Sequence, residues 1–97
     1  MSWNYGYVYL IKPQGHNIYK VGSSVNPDRR LKDIQRKAKG LQLEVIAMKQ
    51  YHDHARAETE WHIEFKDSRL PGGGEWFALS RHQVELFIEA AKVQVAP

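Results

Sequence analysis

The 97-residue sequence has no cysteine. This excludes disulfides and thiolate metal ligands and agrees with a reducing, cytoplasmic setting, which is the expected localisation. A long apolar run is also missing, so neither a secretory signal nor a membrane span is expected. Repeats, linkers and low-complexity tails are absent, and the length suits one domain over residues 1–97.

What is present is an ordinary globular composition with a basic tilt. Hydrophobic residues make up 42%, enough for a modest core without staples. Net charge is +3 and the pI about 9.3, so nucleic acid is a compatible partner and the placement of the charge becomes the question.

Pattern and punctuation divide the chain as follows. A first strand runs from about Tyr5 to Lys12, the "PQGHN" turn follows, and a second strand covers Ile18 to Gly22. Asn26 as N-cap, Pro27 at the first helical position and Asp28 in the first turn start a helix that ends by Gly40. "LEVIAMKQY", residues 43 to 51, predicts a third strand, and a second helix runs from near Asp53 to about Lys66. "PGGG", residues 71 to 74, breaks the pattern, and "EWFAL" reads as a short extended piece. Ser80 with Gln83 forms a capping box before a third helix carrying Val84, Phe87, Ile88 and Ala91. The order β-β-α-β-α-α predicts an α/β fold with a small, mostly antiparallel three-stranded sheet flanked by helices.

The hairpin is crowded with tyrosine. A four-residue loop from Pro13 to His16 would place Tyr9 opposite Lys20. Val8, Leu10, Tyr19 and Val21 then share an apolar face, while Tyr7, Tyr9 and Lys20 share the other. A lysine beside a tyrosine favours the phenolate, whose ordinary pKa near ~10 makes it a poor base unless helped. The plainer reading has Lys20 on an exposed strand and the tyrosines packing.

On a helical wheel Leu31, Ile34 and Ala38 form the buried stripe of the first helix. Arg29, Lys32, Arg36 and Lys39 lie opposite, placed either for phosphate contacts or for solvent. Arg30 and Lys37 lie at the edge of the stripe. Arg30 can reach past it toward the sheet, where a guanidinium can clamp a phosphate.

"HARAETEWHIEF" holds an anomaly. Trp61 and Phe65 mark the buried face, and Glu58 lies on it together with His54 and His62, whereas Glu60 points away. A carboxylate there is costly unless paired or bound to a cation. Arg30 or His62 as structural partner, a divalent metal, and a zinc site from His52, His54 and His62 all remain open.

Taken together, these residues resemble the GIY-YIG nuclease superfamily over almost the whole chain. "YVY" ending in Tyr9 and "KVG" from Lys20 to Gly22 are similar to its two strand motifs, Arg30 in "PDRRL" to its helix arginine, and Glu58 in "ETEWH" to its metal-binding glutamate. "E-x-x-W-H … GEWF" resembles a compact phage and bacterial branch. Lys20 stands where a second tyrosine is usual, and Ile34 where many members carry His or Tyr one helical turn after the arginine.

The resemblance implies a metal-dependent DNA endonuclease, using Mg²⁺ or Mn²⁺ to hydrolyse phosphodiester bonds. Tyr9 would be the general base, Lys20 its activator, Arg30 the phosphate ligand and Glu58 the metal ligand, with Tyr19 or His62 as helping groups. Arg29, Lys32, Arg36, Lys37 and Lys39 would contact DNA. Without a separate binding domain, specificity would be low or would come from a homodimer or a partner. The alternatives are a catalytically weak or inactive nucleic-acid-binding module on the same fold, and a protein-interaction domain docking through the basic helix.

Overall fold

The computed structural model describes residues 5–72 and 74–92. Strands β1 (Gly6–Pro13) and β2 (Tyr19–Ser24) form the hairpin and lead into helix α1 (Pro27–Lys37). Strand β3 (Leu43–Tyr51) and helix α2 (His54–Glu64) follow, then a 3-10 turn (Lys66–Ser68), strand β4 (Trp76–Phe77) and helix α3 (Arg81–Lys92). Gly73, within the expected "PGGG" break, lies outside the described residues.

The caps explain where the helices begin. The Asn26 side chain accepts from the Arg29 N–H and the Asp53 side chain from the Arg56 N–H, at 3.2 and 3.1 Å. The expected capping box is formed: the Gln83 N–H donates to Ser80 Oγ and the Ser80 N–H to Gln83 Oε1.

The sheet corrects the expected architecture. It has four strands rather than three, in the order β3-β1-β2-β4, and each neighbouring pair is antiparallel. The additional strand is the piece foreseen only as extended, where Trp76 pairs with Lys20 and Phe77 with Tyr19. Two residues show no periodicity, so only the hydrogen bonds to β2 define them as a strand.

The hairpin register is displaced by two residues from the expected one. Tyr9 faces Gly22, and Lys20 faces Ile11. An even displacement preserves the faces, so Tyr9 and Lys20 still share a side.

Both sides of the sheet are covered. Val8, Leu10 and Val21 pack beneath α2 and α3 with Ala57, Phe65, Phe77, Leu79 and Phe87. A bulge in β3 turns Ile46 and Ala47 toward this same cluster. On the other face Tyr9 and Ile11 pack against Ile34, with Leu31, Leu43 and Met48 around them. The tyrosine face is therefore a second core, and Tyr9 itself is 1% exposed.

Candidate active site

Burial sets the character of Tyr9. Its ring lies across β2 above Gly22, where an added Cβ would fall 2.6 Å from the hydroxyl oxygen. Gly22 is thus required by the close approach of a side chain, which the sequence shows only as a glycine at a strand end. Burial raises the Tyr9 pKa above its ordinary value. A hydrogen bond and the positive charge of Arg30 pull it down, while the Glu75 and Glu58 carboxylates push it up.

The positive partner of Tyr9 is therefore Arg30 and not Lys20. Arg30 sits near the start of α1, half-buried at the edge of the apolar stripe, as the helical wheel indicates. Lys20 turns instead to Glu75, with Nζ 3.5 Å from Oε2, and lies over the Trp76 ring. Strand β4 brings both of these partners to it.

Glu58 is half-buried on the sheet-facing side of α2. Its Oε1 accepts from the Ser23 hydroxyl at 2.5 Å, and its Oε2 lies 3.7 Å from His62 Nε2. Burial raises the Glu58 pKa; the Ser23 hydrogen bond lowers it, Glu75 raises it, and His62 lowers it. Of the two structural partners considered from sequence, His62 is the one at hand, since Arg30 is engaged with Tyr9.

His62 also meets the Val21 carbonyl oxygen through Nε2 at 2.8 Å. A carbonyl only accepts, so Nε2 carries a hydrogen, which this bond uses. His54 binds Ser23, and His52 packs edge-on against Tyr5. The three histidines considered for zinc therefore point to three different places. Tyr19 lies on the sheet face opposite Tyr9, packed against the α2/α3 core.

Among the described residues, one cluster offers metal-ligand atoms within 4.8 Å of one another: Glu58, His62 and Glu75. The Glu75 carboxylate this close raises the proton affinity of Glu58. Carboxylate oxygens fit Mg²⁺ or Mn²⁺, which keep other positions for water and phosphate. The residues present thus fit a divalent cation. Glu75 was missed in the sequence because nothing in "GEWF" shows that a two-residue strand would carry it to Glu58.

The basic row lies as the wheel predicts. Arg29, Lys32, Arg36 and Lys39 are all exposed, although Arg36 is tied to Asp33 at 2.7 Å, and Lys37, expected at the edge of the stripe beside Arg30, is exposed as well. Lys39 follows the helix end. Among the described residues no helix is long and apolar enough to cross a membrane.

Fold and site together define a small antiparallel α/β domain with an arginine-bound tyrosine, a carboxylate cluster beside it and a basic helix. The chain belongs to the T5orf172 domain family, which it matches over residues 6–92. This corrects the GIY-YIG resemblance, because the family that the chain matches is a different one. T5orf172 domains are associated with nuclease-like, DNA-binding proteins. No curated protein and no solved structure matches the chain.

Proposed function

We propose that this domain is a metal-dependent DNA endonuclease that hydrolyses phosphodiester bonds at the site built from Tyr9, Arg30, Glu58 and Glu75. The observation that carries the proposal is their convergence. The carboxylates of Glu58 and Glu75 both raise the Tyr9 pKa, and Arg30 lowers it through a hydrogen bond and its charge. A hydrolytic phosphate site needs a group to handle the water proton, a cation for the phosphate and a place for metal, and these residues provide all three.

Arg30 would grip two phosphate oxygens through its planar fork. Glu58 and Glu75 would hold the Mg²⁺ or Mn²⁺, whose positive charge stabilises charge building on the phosphate and the leaving oxygen. Tyr9 would orient the attacking water as the neutral phenol and could take its proton only once ionised to the phenolate. In the structure, burial and the two carboxylates keep the hydroxyl proton in place. Neutralising the carboxylates with a cation would remove two of those three influences and leave burial, the largest, opposed by Arg30. Lys20 would hold Glu75 in position. Ile34, buried in the core beside Tyr9, is a packing residue and takes no part. Exposed Arg29, Lys32, Lys37 and Lys39 would contact the DNA backbone.

The test is nicking of supercoiled plasmid by purified protein. Nicking should require Mg²⁺ or Mn²⁺ and disappear in Glu58→Ala, with folding retained by circular dichroism. Salt-dependent DNA binding without nicking at any metal concentration would overturn the endonuclease reading and leave a binding module.

A further inference from the structure

We propose that Ser23 and His54 are positioning residues that hold the Glu58 carboxylate in the orientation that receives a divalent cation; this rests on the cation reading of Glu58 above. Three elements converge to make the arrangement. Ser23 is near the end of β2, and His54 and Glu58 lie one turn apart on α2, so both side chains face the strand. Ser23 Oγ sits between them, 2.5 Å from Glu58 Oε1 and 2.8 Å from His54 Nδ1.

The direction of the chain follows from the donors. A serine hydroxyl has one hydrogen, and the short contact to a carboxylate oxygen takes it. The second contact must then be donated to Ser23, so His54 carries hydrogen on Nδ1. Oε1 is thereby committed to Ser23, while Oε2 faces His62, itself anchored to the Val21 carbonyl. One oxygen of Glu58 is thus held by a hydrogen bond, which orients the carboxylate and leaves Oε2 as the oxygen that would meet a cation.

β1 fixes the histidine in turn. A Cβ on Gly6 would lie 2.5 Å from His54 Cδ2 and 2.8 Å from Cγ. The glycine leaves the space that the imidazole occupies. A link made only to tie α2 to β2 would not need an aimed imidazole behind the serine. A carboxylate that must meet a cation at one fixed place does, because outer hydrogen-bond partners set ligand orientation and affinity.

Mn²⁺ binding measured by titration calorimetry on the full chain tests this, with thermal unfolding as the control for folding. Ser23→Ala should weaken Mn²⁺ binding about tenfold, and Ser23→Thr, which keeps the hydroxyl, should restore it to within about threefold of the original. His54→Ala should weaken it in the same direction, with His54→Asn recovering part of the loss; this pair decides the question if Ser23→Ala does not fold. Glu58→Ala should abolish binding. Loss in Glu58→Ala with unchanged affinity in folded Ser23→Ala, or in His54→Ala where that is the variant that folds, would overturn the positioning role alone. Unchanged affinity in Glu58→Ala, or no binding by the unaltered chain, would overturn the cation reading itself.

Discussion

The Tyr9 hydroxyl occupies the space where a side chain on Gly22 would begin. An ideal Cβ on Gly22 lies 2.6 Å from the hydroxyl oxygen and 2.8 Å from Cζ. The two residues are direct partners across the hairpin, so the strand pairing itself sets this contact. Gly22→Ala should force the ring aside and destabilise the domain by about 1–3 kcal/mol, the usual cost of overpacking. Nicking should fall with it, since the hydroxyl leaves Arg30. Urea unfolding of Gly22→Ala, Tyr9→Ala and the double variant checks the coupling: the glycine substitution should cost much less once the ring is gone.

The raised Tyr9 pKa carries a stability signature at high pH. Its cause is burial first, and its folded pKa lies above the ordinary 10.0. The unfolded chain therefore releases this proton earlier than the folded one. The contribution is fully present below pH 10.0 and is lost as pH rises through the folded pKa. Unfolding free energies measured from neutral pH into the alkaline range should fall more steeply for the unaltered protein than for Tyr9→Phe. Parallel curves would show that the hydroxyl is not held neutral by burial.

Glu58 should lower stability when no metal is bound. Its folded pKa is raised, with burial as the leading cause, so the ionised form is disfavoured in the fold. The sign is therefore a contribution complete below the ordinary value of 4.5 and lost as pH rises through the folded pKa. In EDTA at neutral pH, Glu58→Gln should unfold at a higher temperature than the unaltered protein, because the amide oxygen can still accept from Ser23. The advantage should disappear in acid. Mg²⁺ should raise the midpoint of the unaltered protein and leave that of Glu58→Gln in place.

Exchanging the cation beside Tyr9 distinguishes Arg30 from Lys20. Arg30 lowers the Tyr9 pKa by hydrogen bond and charge, whereas Lys20 pairs with Glu75 at 3.5 Å. Lys20→Met should reduce nicking through a displaced Glu75 but leave the alkaline limb of the pH–rate profile where it was. Arg30→Gln should cut the rate far more and move any remaining limb to higher pH. A limb shifted by Lys20→Met would return the activating role to the lysine.

The exposed basic row should act on affinity and not on chemistry. Lys32→Ala and Lys39→Ala should each lower the slope of log K against log salt by about 0.9 for duplex DNA if each meets one phosphate. Arg36→Ala should have a smaller effect, because Arg36 is already tied to Asp33. Single-turnover nicking rates at saturating protein should be unchanged in both lysine variants.

The site was legible where helical geometry decides it and obscure where strand pairing does. A wheel needs only spacing, and it placed Arg30 beside the sheet and Glu58 on the buried face of α2. The hairpin could be paired only by assuming a loop length, and the true register lies two residues away, so Gly22 rather than Lys20 faces Tyr9. The wheel also placed His54 on the Glu58 face, but Ser23 carried no signal, since a hydrogen bond between residues 31 apart in sequence has no local trace.

The helices, their caps, the two faces of the hairpin and the basic row all follow from local spacing and side-chain chemistry. Long-range packing is what adds a fourth strand to the sheet and stands Glu75 beside Glu58. It also decided that Lys20 answers to Glu75 while Arg30 answers to Tyr9. These are contacts between distant segments, and those of Glu75 exist because the two-residue β4 docks on the edge of β2, a pairing set by packing and not by any periodicity within "EWF".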